Sequence, residues 1–183
     1  MAFSNYYGLF NDEKLSGVEI IHHGVRTATN GDIRLSPTPG QWDSIPRLID
    51  RKVEQDKNII EASLSYPSFH FDYVIKAQAR DDGVFLNVNL KNPLPKELEG
   101  RAGFNLEFLP AAYFEKSYMM DDKAGTFPLY PAGTMEKSGW GTIEPKPVAS
   151  GTTPILAPED PARRISIQAK NCTLALYDGR NQA

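Results

Sequence analysis

Carboxylates, histidines and flat aromatic rings are the residues of this sequence with chemistry to offer. Glu107 stands between Leu106 and Phe108, and Asp72 between Phe71 and Tyr73. Alternate residues of an extended chain point to opposite faces, so both carboxylates project away from their apolar neighbours. If their strands adjoin, the two reach one surface. Carboxyls about 5–10 Å apart across a cleft are what hydrolysis of a glycosidic bond requires. The plainer reading, which we favour, is a pair of solvated sheet residues with Lys or Arg partners across the strands. Asp81-Asp82 and Asp121-Asp122 could serve a structural calcium, but neither has the spacing of a calcium loop, and turn chemistry explains both. His22 and His23 are adjacent, so on a strand they face opposite ways and do not share a metal; His70 falls on the polar face of its strand. The chain carries no glycine-rich phosphate loop, nucleophile elbow or His-Glu-x-x-His motif. No cofactor is expected.

Aromatics suit a different chemistry. A sugar ring has an apolar C–H face edged by hydroxyls, so its site combines flat aromatic surface with amide, carboxylate and guanidinium groups. Trp42 (Pro39-Gly40-Gln41-Trp42-Asp43) and Trp140 (Ser138-Gly139-Trp140-Gly141) both stand among small, turn-forming residues that leave a ring face open. Either could equally plug the end of the sandwich. Tyr113, Tyr118 and Tyr130 are further candidates.

The elements that must position these groups read as strands. In the run from Phe69 to Arg80 the odd residues are apolar and the even ones mostly polar, the pattern of a strand with one buried face. Asp81-Asp82-Gly83 is a hairpin signal. The return run alternates again, with Val84, Leu86, Val88 and Leu90 facing in, until Pro93 and Pro95 stop it. The outward face then presents His70, Asp72, Lys76, Gln78 and Arg80 beside Asn87, Asn89 and Lys91, with Asn105, Glu107, Ser166, Gln168 and Lys170 as an extension. Amides both donate and accept, which suits hydroxyl recognition, although a merely solvated face is the ordinary alternative. Further strands are predicted at residues 18–21, 33–35, 59–64, 103–109, 164–169 and 173–177. Helical turns are predicted only at 44–50 and 110–116. Residues 118–161 read as long loops. Many short strands, with 14 Gly and 14 Pro between them, predict an all-β, antiparallel β-sandwich of jelly-roll type over 1–183 as a single domain.

Composition narrows the partners. Net charge is −3, from 20 basic and 23 acidic residues without a long run of either sign. That excludes the basic field that nucleic acid demands. Cys172, the only cysteine, excludes an internal disulfide and multi-cysteine metal sites. Its alternating surroundings predict a packed thiol. No apolar stretch approaches 18 residues, so no membrane partner is expected; the first residues lack signal-peptide character, so either the protein is cytoplasmic or Met1 was added to a domain excised from a longer chain. The protein is expected to be a monomer.

Four segments together carry a resemblance. Gly100-Arg101-Ala102-Gly103-Phe104-Asn105-Leu106-Glu107-Phe108-Leu109-Pro110, with Phe114-Glu115-Lys116-Ser117-Tyr118-Met119-Met120-Asp121-Asp122, Gly125-Thr126-Phe127-Pro128 and Leu174-Ala175-Leu176-Tyr177-Asp178-Gly179-Arg180-Asn181, resembles the N-terminal β-sandwich region of multimodular bacterial family nine (endoglucanase-like) glycoside hydrolases. The resemblance covers about residues 60–183. It implies an extracytoplasmic β-glucan-degrading system in which this domain, excised from a longer chain, supports an attached catalytic module. It carries over no catalytic residue, because the family's acid and base lie in that module. Three readings follow: a non-catalytic carbohydrate-binding module for plant cell-wall β-glucan or a related polysaccharide, using Trp42, Trp140, Tyr118, Tyr130, Asp72, Gln78, Arg80, Asn87, Asn105 and Glu107; a structural domain packed on its catalytic module without ligand; or a small glycosidase using Glu107 and Asp72.

Overall fold

The computed structural model describes residues 1–7, 14–37, 39, 43–139 and 141–182. Every strand ladder among them is antiparallel and the chain is all-β, with helical character confined to 3-10 turns. The residues gather into two compact units, Met1–Phe108 and Leu109–Ala183.

The first unit holds β1 (Ala2–Tyr7), β2 (Lys14–His22), β3 (Val25–Arg34), β4 (Arg47–Glu54), β5 (Ile59–Tyr66), β6 (Phe71–Arg80), β7 (Gly83–Leu90) and β8 (Gly103–Phe108). They form two four-stranded sheets, ordered β1-β2-β3-β8 and β4-β5-β6-β7. Phe71, Tyr73, Ile75 and Ala77 of β6 are buried, and opposite them Tyr66, Leu64, Ala62 and the half-buried Ile60 of β5 point the same way. From the other sheet come Phe3, Val18 and Ile33, and Leu98 enters from a 3-10 turn. One core thus lies between two sheets, which makes this unit a β-sandwich. Each large apolar side chain so enclosed contributes about 1.5–3 kcal/mol. Tyr66, Phe71 and Tyr73 pack ring to ring, with centroids 5.3–6.4 Å apart. The Tyr66 hydroxyl donates to the Ile33 carbonyl at 2.9 Å and ties the sheets together.

The predicted hairpin is β6–β7, with Arg80 opposite Gly83 across the two-residue turn Asp81-Asp82. Its inward set is as expected, although Val84 and Leu90 remain exposed because β7 is an edge strand. Jelly-roll connectivity sends successive strands to alternate sheets, whereas here β4 to β7 follow one another within one sheet and β8 returns beside β3. Of residues 44–50, expected as helical turns, 47–50 open β4 and 44–46 form no helical turn. Pro46 disfavours helical conformation at Ile45, and Leu48 and Val53 pair opposite Leu64 and Ile60.

The second unit is built of β9 (Ser117–Met120), β10 (Lys123–Thr126), β11 (Met135–Lys137), β12 (Ile143–Pro145), β13 (Ala149–Gly151), β14 (Pro154–Leu156), β15 (Ile165–Ser166) and β16 (Leu174–Leu176). They pair as β10-β9-β14-β15, β11-β12 and β13-β16, around buried Tyr113, Met120, Leu156 and Ala157. Residues 118–161 are therefore not long loops but short strands, too brief for alternation to register. Conversely, the alternation at 164–169 yields only β15. Cys172 is exposed, not packed, and follows Asn171 at φ +61°. The turn predicted at 110–116 is a 3-10 turn over Pro110–Ala112. Among the described residues, no helix is long and apolar enough to cross a membrane.

Candidate functional site: the bulged seam of β3 and β8

The seam begins with two glycines. Gly17 on β2 has φ +107°, and a Cβ there would strike the Gly31 carbonyl; a Cβ on Gly31 would stand 2.9 Å from the Val18 carbonyl. Here β2 and β3 approach more closely than side chains permit. Next to Gly31, Asn30 adopts a left-handed φ of +52°. Thr29 pairs with Glu107 and Asp32 with Asn105, so β3 spends one extra residue against β8. This is a β-bulge, a device that re-aims side chains.

Re-aiming produces a chain of polar contacts. Asp32 is fully buried. Its Oδ2 accepts the Ser16 hydroxyl at 2.6 Å, and Oδ1 accepts the Tyr73 hydroxyl and the Ile33 N–H, both at 2.7 Å. Burial pushes its carboxyl above the ordinary aspartate value, against these hydrogen bonds and the nearby Arg34 charge. Asn30 accepts the Ser16 N–H at 3.0 Å and donates to Glu107 Oε2 at 2.7 Å. Glu107 Oε1 lies 3.6 Å from Arg34 Nη1; the glutamate side chain is 41% exposed and the arginine only 4%. Burial also raises the Glu107 carboxyl, partly offset by the Asn30 bond and the Arg34 charge. Arg34 Nε and Thr29 Oγ1, both buried, have no hydrogen-bond partner among the described residues. Each such group costs about 1–3 kcal/mol.

The arrangement is a half-exposed carboxylate on a rigid backing, with an amide to one side and a buried cation behind. It can accept hydrogen bonds from ligand hydroxyls. Asp32 cannot touch a ligand, since it is enclosed and its oxygens already serve three donors.

The residues expected to act are distributed differently. Asn105 is two positions from Glu107, and its amide donates to the Ser36 carbonyl at 3.2 Å. Asp72, Gln78, Arg80 and Asn87 share the outer face of the β4–β7 sheet, Asp72 opposite Ser65 and Asn87 opposite Lys76. There Gln78 Oε1 accepts from Arg80 Nε and Nη2 at 3.2 and 2.9 Å, and the guanidinium covers the Phe85 ring at 3.9 Å. The expected continuation of this face through Asn105 and Glu107 fails, because β8 pairs with β3 in the opposite sheet. For the same reason Asp72 and Glu107 do not adjoin: the core separates their strands. Ser166, Gln168 and Lys170 belong to the second unit.

Tyr118 lies over Gly125 and against Phe127, centroids 4.9 Å apart, so its ring is occupied in packing. Tyr113 is buried and donates to the Arg163 carbonyl at 3.2 Å. Tyr130 is 77% exposed. Trp42 and Trp140 lie outside the described residues. His22 and His23 do not point apart: a turn with φ +49° at His23 brings their rings to 4.1 Å. His70 caps a 3-10 turn and precedes β6. Among the described residues no group of three or more His, Cys, Asp or Glu could hold a metal. Asp121 instead accepts the Thr152 and Thr153 N–H groups at 3.0 and 2.8 Å and the Thr152 hydroxyl at 3.0 Å, which holds its carboxyl below the ordinary range.

Ser16, Asn30, Asp32 and Arg34 were not anticipated from sequence. The available signal was Asn30-Gly31 inside an otherwise strand-like run, a bulge signature. Compared with protein-family models, curated proteins and solved structures, the chain matches none of them.

Proposed function

We propose that this protein is a non-catalytic carbohydrate-binding region that holds a plant cell-wall β-glucan or related polysaccharide, outside the cytoplasm, for an attached glycoside hydrolase. The observation that carries the reading is the half-exposed Glu107 carboxylate, fixed between Asn30 and the buried Arg34 on bulged β3. A carboxylate so held accepts two hydroxyls of one sugar without being reorganised, and preorganisation of this kind favours binding. Binding is favoured over bond cleavage because neither Asp32, which is enclosed, nor Asp72, which is on the other sheet, can act as the second carboxyl that hydrolysis needs. The β-glucan preference follows from the resemblance to family nine enzymes. Affinity electrophoresis in mixed-linkage β-glucan, xyloglucan, xylan and mannan, with a cellulose pull-down, tests the reading. Retardation on at least one glucan is expected, and mobility unchanged in every gel with no cellulose retention would overturn it.

A further inference from the structure

The second unit presents one aromatic ring in a way that packing does not explain. Tyr130 is 77% exposed, the most open large apolar side chain among the described residues. An exposed tyrosine alone is unremarkable; its mounting is not. Arg180 Nη1 donates to the Leu129 carbonyl at 2.7 Å and Nη2 to the Pro128 carbonyl at 2.8 Å. The Leu129 carbonyl belongs to the peptide group that enters Tyr130, so the guanidinium grips the ring's own backbone. Asp178 fixes that guanidinium in turn, accepting from Nε at 2.8 Å and Nη2 at 2.6 Å, while Phe114 lies 4.9 Å beneath it. Pro128 and Pro131 flank the pair Leu129-Tyr130, and a following proline confines Tyr130 to extended conformations. A flat ring with little backbone freedom left to lose meets a ligand at low entropic cost.

We propose that Tyr130 is a stacking platform for the C–H face of a pyranose ring, and that Arg180 with Asp178 is the clamp that positions it. The proposal rests on the carbohydrate reading above but uses a separate contact from Glu107. Its test is calorimetric titration of the full chain with whichever soluble glucan retards the wild type. Tyr130→Ala should weaken binding about tenfold, and Tyr130→Phe should keep it, since stacking needs the ring and not the hydroxyl. Arg180→Lys retains the charge but loses the two-pronged grip. It should weaken binding about threefold in the wild type and have no further effect on affinity in Tyr130→Ala. Wild-type affinity in Tyr130→Ala would overturn the platform while leaving the carbohydrate reading intact. Equal losses from Arg180→Lys in both backgrounds would overturn the clamp. A wild type that binds no glucan would overturn the carbohydrate reading and this proposal together.

Discussion

Two carboxyls at the β3–β8 seam are both pushed up by desolvation, yet their surroundings assign them different work. Glu107 faces outward, and its ionised form is the hydrogen-bond acceptor. Glucan affinity should therefore fall on acidification, with a midpoint above the ordinary glutamate value of 4.5, and Glu107→Gln should remove that pH dependence. Asp32 is internal, and its linkage has the opposite consequence. Its folded pKa lies above its unfolded one, so its contribution is fully present below the unfolded value and is lost as pH rises through the folded value. Asp32→Asn should thus gain stability relative to wild type as pH rises from the acid range, measured by denaturant unfolding at several pH values. A constant difference across pH would refute this. Tyr73→Phe removes the 2.7 Å bond to Asp32 and should cost about 1–3 kcal/mol by the same assay. Glu107 was legible from sequence because it interrupts an apolar run. Its partner Asn30 was not, since 77 positions separate them and only the β3–β8 pairing brings them together.

At the scale of elements, alternation was readable wherever strands are long and one face is buried. The β6–β7 hairpin meets both conditions, with a two-residue turn that sets its register. β4 does not: it is an edge strand with Ile49 and Val53 exposed, so its side chains do not sort by face and its clustered apolar residues imitate a helical turn. The strands of the second unit are too short to show a period at all. Two glycines separate close packing from simple turn chemistry. Gly17→Ala must drive a methyl group into the Gly31 backbone at a positive φ, and should destabilise the protein by about 2 kcal/mol or more. Gly24, at φ +76° with nothing within 4 Å, meets only the intrinsic penalty, so Gly24→Ala should cost about 1 kcal/mol. Equal losses in chemical denaturation would show that the β2–β3 crossing is not tight.

Across the whole molecule, the all-β class was legible because turn residues and alternation agree, whereas strand order was not. Whether β8 joins β3 or β7 depends on pairing between distant segments, and that choice decided which polar residues share a face. Burial is equally uneven. β5 and β6 share eight ladder pairs over a buried face, while β11 and β12 share three and every residue of β11 is exposed. Amide exchange of the full chain should show its strongest protection in β5 and β6 and its weakest in β11 and β12; uniform protection would contradict this. Sugar binding through Glu107 meets its most direct test in calorimetry with soluble mixed-linkage β-glucan and xyloglucan, on wild type and Glu107→Gln. Saturable binding that Glu107→Gln weakens about tenfold, with the fold retained, is the expected result. No heat of binding to either glucan, or equal affinity in the two proteins, would contradict it.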